Sequence, residues 1–259
     1  MDLGIRGRKA IVCASSQGLG KGCARALAEA GVAVVINGRN RLLLERTAEE
    51  IRQATAVEVT PVLADLSTEA GIETLLAACP EPDILVNNNG GPPFRDFRDL
   101  DRAALMTGLT MNMITPIELV QRVIDPMAAR RFGRIVNITS LSVKMPLAGL
   151  DLSSGARAGL TAFLAGVARN VADKNVTINQ LLPGSFDTAR LRSGLLAHAT
   201  RDAVPEAELE EQWRAGIPAR RFGTADELGQ ICAFLCSVHA GYITGQNILV
   251  DGGAVPTAF

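Results

Sequence analysis

The chain alternates short, unbroken apolar runs with longer stretches in which apolar residues recur every three or four positions. Runs without an alternating polar face suit strands buried on both sides, and the periodic stretches suit amphipathic helices. Strands are therefore expected at 9–15 ("KAIVCAS"), 32–37 ("VAVVIN"), 57–65 ("VEVTPVLAD"), 83–88 ("DILVNN"), 133–140 ("GRIVNITS"), 176–182 ("VTINQLL") and 246–251 ("QNILVD"). Helices are expected at 18–31, 40–54, from a Ser67 cap to Cys79, 100–130 with a bend or break near Pro116 and Pro126, 153–173, and 224–237. Residues 188–215 read as charged amphipathic helix. Seven strands separated by helices mean an α/β fold, a single doubly wound domain over 1–259 with a parallel sheet and helices on both faces. Ligands in that layout bind outside the carboxyl ends of the strands, so sites are expected just after residues 14, 37, 65, 88, 140 and 182.

The turn after the first strand reads Cys13-Ala14-Ser15-Ser16-Gln17-Gly18-Leu19-Gly20. Glycines here let backbone approach a pyrophosphate, whose charge meets the free N–H groups at a helix start. The GxGxxG spacing is incomplete, since Cys23 stands three residues after Gly20. The end of the second strand reads Asn37-Gly38-Arg39-Asn40 and lacks an acid for a ribose. Arg39 there suits a 2′-phosphate, which favours NADP(H) over NAD(H); a solvated arginine is the plain alternative.

Net charge is −1 with scattered basic residues, which argues against nucleic acid and anionic membranes as partners. No window of about 18 uninterrupted apolar residues is present, so no membrane span is expected. The five cysteines form no CxxC and suit a core, and a cytoplasmic setting is the default. The two histidines are far apart with no carboxylate at ligand spacing, so no metal is expected. The nucleophile elbow G-x-S-x-G of a serine hydrolase is absent.

In order and spacing these segments resemble the short-chain dehydrogenase/reductase family, in its 3-oxoacyl-[acyl-carrier-protein] reductase-like branch. Residues 13–20 resemble its TGxxxGxG turn, with Cys-Ala for Thr-Gly, and Asp65-Leu66 resembles its adenine-holding pair. Asn87-Asn88-Asn89-Gly90 resembles its NNAG, Asn112 its site asparagine, and Ser140 its catalytic serine. Pro183-Gly184 with Thr188 resembles the segment that holds the nicotinamide amide, and the tail from Arg221 to Gly253 is similar throughout. The resemblance implies a Rossmann-type sheet of order 3-2-1-4-5-6-7 and a homotetramer or homodimer built through helices 100–130 and 153–173. It also implies a small-molecule substrate covered by 188–215. Its cofactor residues would be Ala14, Ser15, Ser16, Gln17, Gly18, Leu19, Gly20, Arg39, Asp65, Leu66, Asn88, Asn89, Gly90, Arg157, Pro183, Gly184 and Thr188. Its catalytic positions would be Asn112, Ser140, Ser153 and Arg157.

The last two depart from the family's Tyr-x-x-x-Lys. Thirteen and seventeen residues after Ser140 stand Ser153 and Arg157, and the one tyrosine, Tyr242, lies near the C-terminus. Hydride addition to a carbonyl builds an alkoxide that needs a proton from a positioned acid, and serine is a far weaker acid than tyrosine. Arginine keeps the charge but stays protonated. Three readings stay open: an oxidoreductase of a carbonyl or alcohol with another proton source, a dinucleotide-binding protein without redox chemistry, and a non-redox lyase or isomerase. Lys144 and His198 are candidate proton sources, each otherwise a solvated residue. Asp187 reads as a helix cap, Asp151 as a helix-start acid, and His239 as exposed. The "GGPPF" turn at 90–94 would offer Phe94 as a substrate wall, and Trp213 would pack or line the pocket. The third asparagine, Asn89, would narrow the pocket beside the nicotinamide.

Overall fold

A computed structural model describes residues 1–92 and 94–257. Its strands are β1 (Lys9–Val12), β2 (Ala33–Gly38), β3 (Val59–Leu63), β4 (Ile84–Asn87), β5 (Gly133–Ile138), β6 (Val176–Pro183) and β7 (Asn247–Val250). They pair in the order β3-β2-β1-β4-β5-β6-β7, all parallel, with Ile11 between Val35 and Leu85 in register. The expected fold and strand order are both present.

Unbroken apolar runs are explained by helices on both faces. Along β1, Ala10 and Val12 pack into one core while Ile11 and Cys13 pack into the other, as side chains of successive strand residues must. The first face is covered by α1 (Gly18–Glu29), α2 (Arg41–Thr55) and α9 (Ala225–Cys236) through Leu27, Leu44, Ile51, Leu228 and Cys232. The second is covered by α3 (Glu69–Ala78), α5 (Thr115–Ala129) and α6 (Asp151–Val171) through Leu75, Leu119, Val123, Leu160 and Leu164. All five cysteines are buried and free, in keeping with a packing role. Burial pushes the Cys13 thiol up to about 12, which leaves it inert at neutral pH.

Helices α1 and α9 cross at two glycines. A Cβ on Gly22 would stand 2.1 Å from the Ala225 carbonyl oxygen, and one on Gly229 would stand 2.3 Å from the Gly22 oxygen. The obstacle is backbone, so the helices themselves would have to part. Gly22→Ala is therefore expected to cost about 1–3 kcal/mol despite its better helix propensity. Denaturant unfolding checks this; an unchanged midpoint would mean that the crossing adjusts freely.

Three local expectations are corrected. Thr68 caps α3, accepting from Gly71 N, while Ser67 turns back and donates to Asp65. Thr188 caps α7 (Ala189–Asp202), accepting from Leu191 N, while Asp187 pairs with Arg192 at 2.8 Å. In both places the threonine is one residue closer to the helix and so reaches its N–H. The third concerns the long helix. It runs as α4 (Arg102–Leu109), a π turn (Thr110–Ile114) and α5, and neither proline breaks it. The wide turn lies just ahead of Pro116, which has no N–H to give to the ladder. Pro126 frees a carbonyl at exposed Arg122, on the side that water reaches. By length and composition alone this helix could cross a membrane, unlike the expectation; it buries Leu119, Val120, Val123 and Met127.

Helices α7 and α8 (Glu206–Ala215) lie beyond the end of β6, with a small core of their own made by Leu195, Ala199 and Leu209 with Val204 and Trp213. They occupy the expected helical stretch 188–215, as two elements.

Candidate active site

The carboxyl ends of the strands open into one cleft of about 820 Å³. Its walls come from each position expected for a switch-point site: 14 and 16–19, 37–40, 64–67, 88–91, 138–141, and 183–186 with 188–191.

The turn after β1 is held from below. Ser15 is fully buried; its N–H donates to Asn37 O, its hydroxyl donates to Val12 O and accepts from Asn37 N. Asn37 in turn accepts from Ala14 N and donates to Val62 O and Ala64 O, lacing β1, β2 and β3 together. Ala14 takes a positive φ of 43°, a strained choice for a residue with a Cβ. Gly20 faces inward, where a Cβ would meet Ala14 O at 2.5 Å and Asn88 Nδ2 at 2.7 Å. Ser15 and Gly20 therefore build the turn from beneath rather than line the cleft, while Ala14, Ser16, Gln17, Gly18 and Leu19 do line it. Side chains cap α2, α3, α4, α7 and α9, but Gln17 makes no capping bond to α1 and no acid lies in its first turn. Uncapped N–H groups at a glycine turn suit a pyrophosphate.

At one end of the cleft Arg39 and Asp65 face each other at 3.6 Å, both substantially exposed. The Asp65 carboxylate also accepts from Ser67 N and Ser67 Oγ, and these bonds, ahead of Arg39, hold its pKa below the ordinary range. Leu66 and Leu43 supply apolar wall there.

Toward the other end, Asn88 Nδ2 donates to Ala14 O, tying β4 to the turn. Asn89 lines the cleft, and its Nδ2 donates to Met111 O at 2.6 Å, which ties it to the π turn. Gly90 lines the cleft; the expected 90–94 turn includes Pro93, which lies outside the described residues. Asn112 sits in the π turn and donates to Gly108 O, and its buried Oδ1 has no protein partner. It lines a small void of about 10 Å³ with Asn137 and Arg157, not the main cleft. Ser140, Ser153 and Arg157 do line the main cleft, as do Pro183, Gly184 and Thr188.

Ser140 accepts from Ser142 N, which holds its oxygen at the cleft wall. Arg157 is buried and makes three bonds: Nε to Ser153 Oγ at 3.2 Å, Nη1 to Ile138 O at 2.8 Å and Nη2 to Asn89 O at 3.3 Å. Burial first, and then the neighbouring Arg190, push its pKa down to about 10, so it remains a cation at neutral pH. Lys144 is exposed and does not line the cleft, and Tyr242 is fully exposed. His198 lies edge-on between Phe94 and Trp213, at 5.3 and 5.5 Å, while those two rings form cleft wall. His239 is exposed and meets Asp2 O, and Asp151 lies in the first turn of α6, both as expected. Among the described lining residues there is no tyrosine, histidine or lysine.

Sequence reasoning missed two residues here. Asn37 was noted only for not being an acid, although a buried strand-end amide can organise three strands at once. Arg190 was not singled out, although a cation in the first turn of a helix opposes the helix dipole and so calls for a reason.

The family described as enoyl-(acyl carrier protein) reductase matches residues 13–255. The NADPH-dependent reductase BacG of Bacillus subtilis is 32% identical over 253 residues, 96% of this chain and 98% of that protein. The chain belongs to the short-chain dehydrogenase/reductase family. The 3-oxoacyl-[acyl-carrier-protein] reductase FabG of Aquifex aeolicus is 31% identical over 98% of this chain and 99% of its own length. Among solved structures, L-sorbose reductase of Gluconobacter frateurii complexed with NADPH and L-sorbose aligns with a TM-score of 0.93 at 26% identity, covering 99% of this chain and all of that one. Membership of this oxidoreductase family thus rests on sequence and architecture together, over nearly the whole chain.

Proposed function

We propose that this short-chain dehydrogenase/reductase binds NADPH and reduces a carbonyl substrate without a tyrosine acid. One observation carries the reading: the uncapped start of α1, Arg39, Ser140 and the Arg157–Ser153 pair all face one cleft. NADPH supplies a hydride to the carbonyl carbon when bound. The chain's part is to hold the carbonyl and stabilise the alkoxide. Ser140 Oγ accepts from Ser142 N and Ser153 Oγ accepts from Arg157 Nε, so each hydroxyl keeps its own proton to donate to the carbonyl oxygen. The final proton comes from water in the cleft, where Ser153 leaves room that a larger side chain would fill. Residues 1–259 act as one dinucleotide-binding domain, with 188–215 covering the substrate. Exposed Ile114 and Phe163 support self-association through the helices that carry them.

Calorimetric titration is expected to show NADPH binding about tenfold tighter than NADH, as suits one arginine on an exposed phosphate. Arg39→Ala should remove that margin. Equal affinities in the unsubstituted protein would sink the assignment of Arg39. Carbonyl reduction is then read as loss of NADPH absorbance over a panel of β-keto esters, sugars, cyclic ketones and quinones.

A second reading, cofactor binding without redox chemistry, is favoured by the three bonds from Arg157 to protein groups, which use it as a brace. Silence across the panel with NADPH bound would support it.

A further inference from the structure

Two guanidinium groups meet at the substrate side of the cleft, with no carboxylate between them among the described residues. The point where a Cβ on Gly91 would stand lies 2.9 Å from Arg190 Nη2 and 3.4 Å from Arg157 Nη2. Arg190 donates to Gly91 O at 2.7 Å and Pro92 O at 2.9 Å. Arg157 donates to Ile138 O, Asn89 O and Ser153 Oγ. All of these acceptors are neutral. A guanidinium has five N–H donors, so both groups keep N–H to offer.

The surroundings add no negative charge. Asp65 is the one acid among the described lining residues, and it faces Arg39 at the other end. Arg190 also sits in the first turn of α7, where the helix dipole adds positive potential. Arg157 is buried while Arg190 is exposed, and a buried cation with a second cation beside it favours an anion at the pair. Burial first, and then the charge of Arg190, depress the pKa of Arg157. The same cleft has Phe94, Leu147, Leu150 and Trp213 among its apolar lining.

We infer that Arg157 and Arg190 together bind the carboxylate of the substrate, which is therefore a free oxo acid with an apolar body rather than an ester or thioester. This rests on the reductase reading above, but its binding half can be tested without turnover. Planar guanidinium groups match a carboxylate in two-point fashion.

The test uses the NADPH-loaded protein and two pairs of compounds. Hexanoate and methyl hexanoate are titrated by calorimetry; 3-oxohexanoate and its methyl ester are assayed for NADPH oxidation. Hexanoate is expected to bind at least about tenfold tighter than its ester, in keeping with charge-assisted bonds from two arginines, and to weaken with added salt. Arg190→Met should collapse the acid-to-ester ratio toward one, and Arg190→Lys should restore it in part. Equal binding of hexanoate and its ester would overturn the inference. So would an Arg190→Met variant that loses affinity for NADPH while keeping the acid preference, because Arg190 would then serve the cofactor. If hexanoate binds as expected but 3-oxohexanoate is not reduced, the carboxylate site stands and the reductase reading falls.

Discussion

Replacing Ser153 by tyrosine and Arg157 by lysine together is expected to raise carbonyl turnover by about 10²–10⁴-fold, the usual worth of a positioned general acid. Ser153 lies in the first turn of α6 and lines the cleft, so a phenol built on the same Cβ extends toward the reacting carbonyl. Tyrosine has a pKa near 10 against water's much higher value, and a nearby ammonium brings it closer to neutrality. Both changes are needed. Arg157 Nε occupies the 153 side chain, and its two ends are fixed on Ile138 O and Asn89 O. Lysine at 157 is a compact charge that can face the phenol and Asn112 Oδ1, which has no protein partner now. Ser153→Tyr alone should gain less, because a fixed arginine cannot pass on a proton. The measurement is NADPH oxidation in a variant whose NADPH affinity has been checked by calorimetry. No gain in a double variant that binds NADPH would count against carbonyl reduction altogether.

How much of this was legible beforehand depends on the kind of signal. Strand positions were readable because each strand is covered on both faces and so must be continuously apolar; "VAVVIN" has no other sensible place. Cleft positions followed from topology, since parallel strands deliver their carboxyl ends to one edge. Fine capping was not readable, because Ser67 and Thr68, or Asp187 and Thr188, are equally able caps and only backbone geometry chooses between them. The π turn was also hidden, since Pro116 advertised a break but not a wider turn that absorbs it. At the site, spacing from Ser140 located Ser153 and Arg157 correctly in the cleft. What those residues touch was out of reach. Nothing in the sequence pairs Arg157 with Ile138 O or brings Arg190 beside it, since 33 positions separate the two arginines along the chain. Ser15 and Gly20 show the reverse fault: both belong to the motif, yet they build the turn from beneath, while Ala14, Ser16, Gln17, Gly18 and Leu19 line the cleft.

Arg157→Met is expected to leave stability within about 1 kcal/mol of the unsubstituted protein while lowering carbonyl turnover by about 10²-fold. The two halves of this prediction come from different magnitudes. Removing the guanidinium loses three hydrogen bonds from a charged donor, each worth about 1.5–3 kcal/mol. It also removes a buried cation that has no carboxylate partner, whose desolvation costs several kcal/mol. The terms are of similar size and opposite sign, and methionine refills most of the stem's volume beside Leu160 without a polar head. Function has no such compensation. Ser153 Oγ loses the bond that orients it, and the cleft loses the Arg157 cation from its lining. A residue that is neutral for folding and large for turnover is one kept for chemistry. Denaturant unfolding and NADPH oxidation, measured on the same preparation, separate the cases. A loss of about 3 kcal/mol or more with turnover per folded molecule intact would make Arg157 a brace between β5, the β4 loop and α6. The reading of this chain as a cofactor-binding protein without redox chemistry would then gain a second observation beside the three bonds of Arg157.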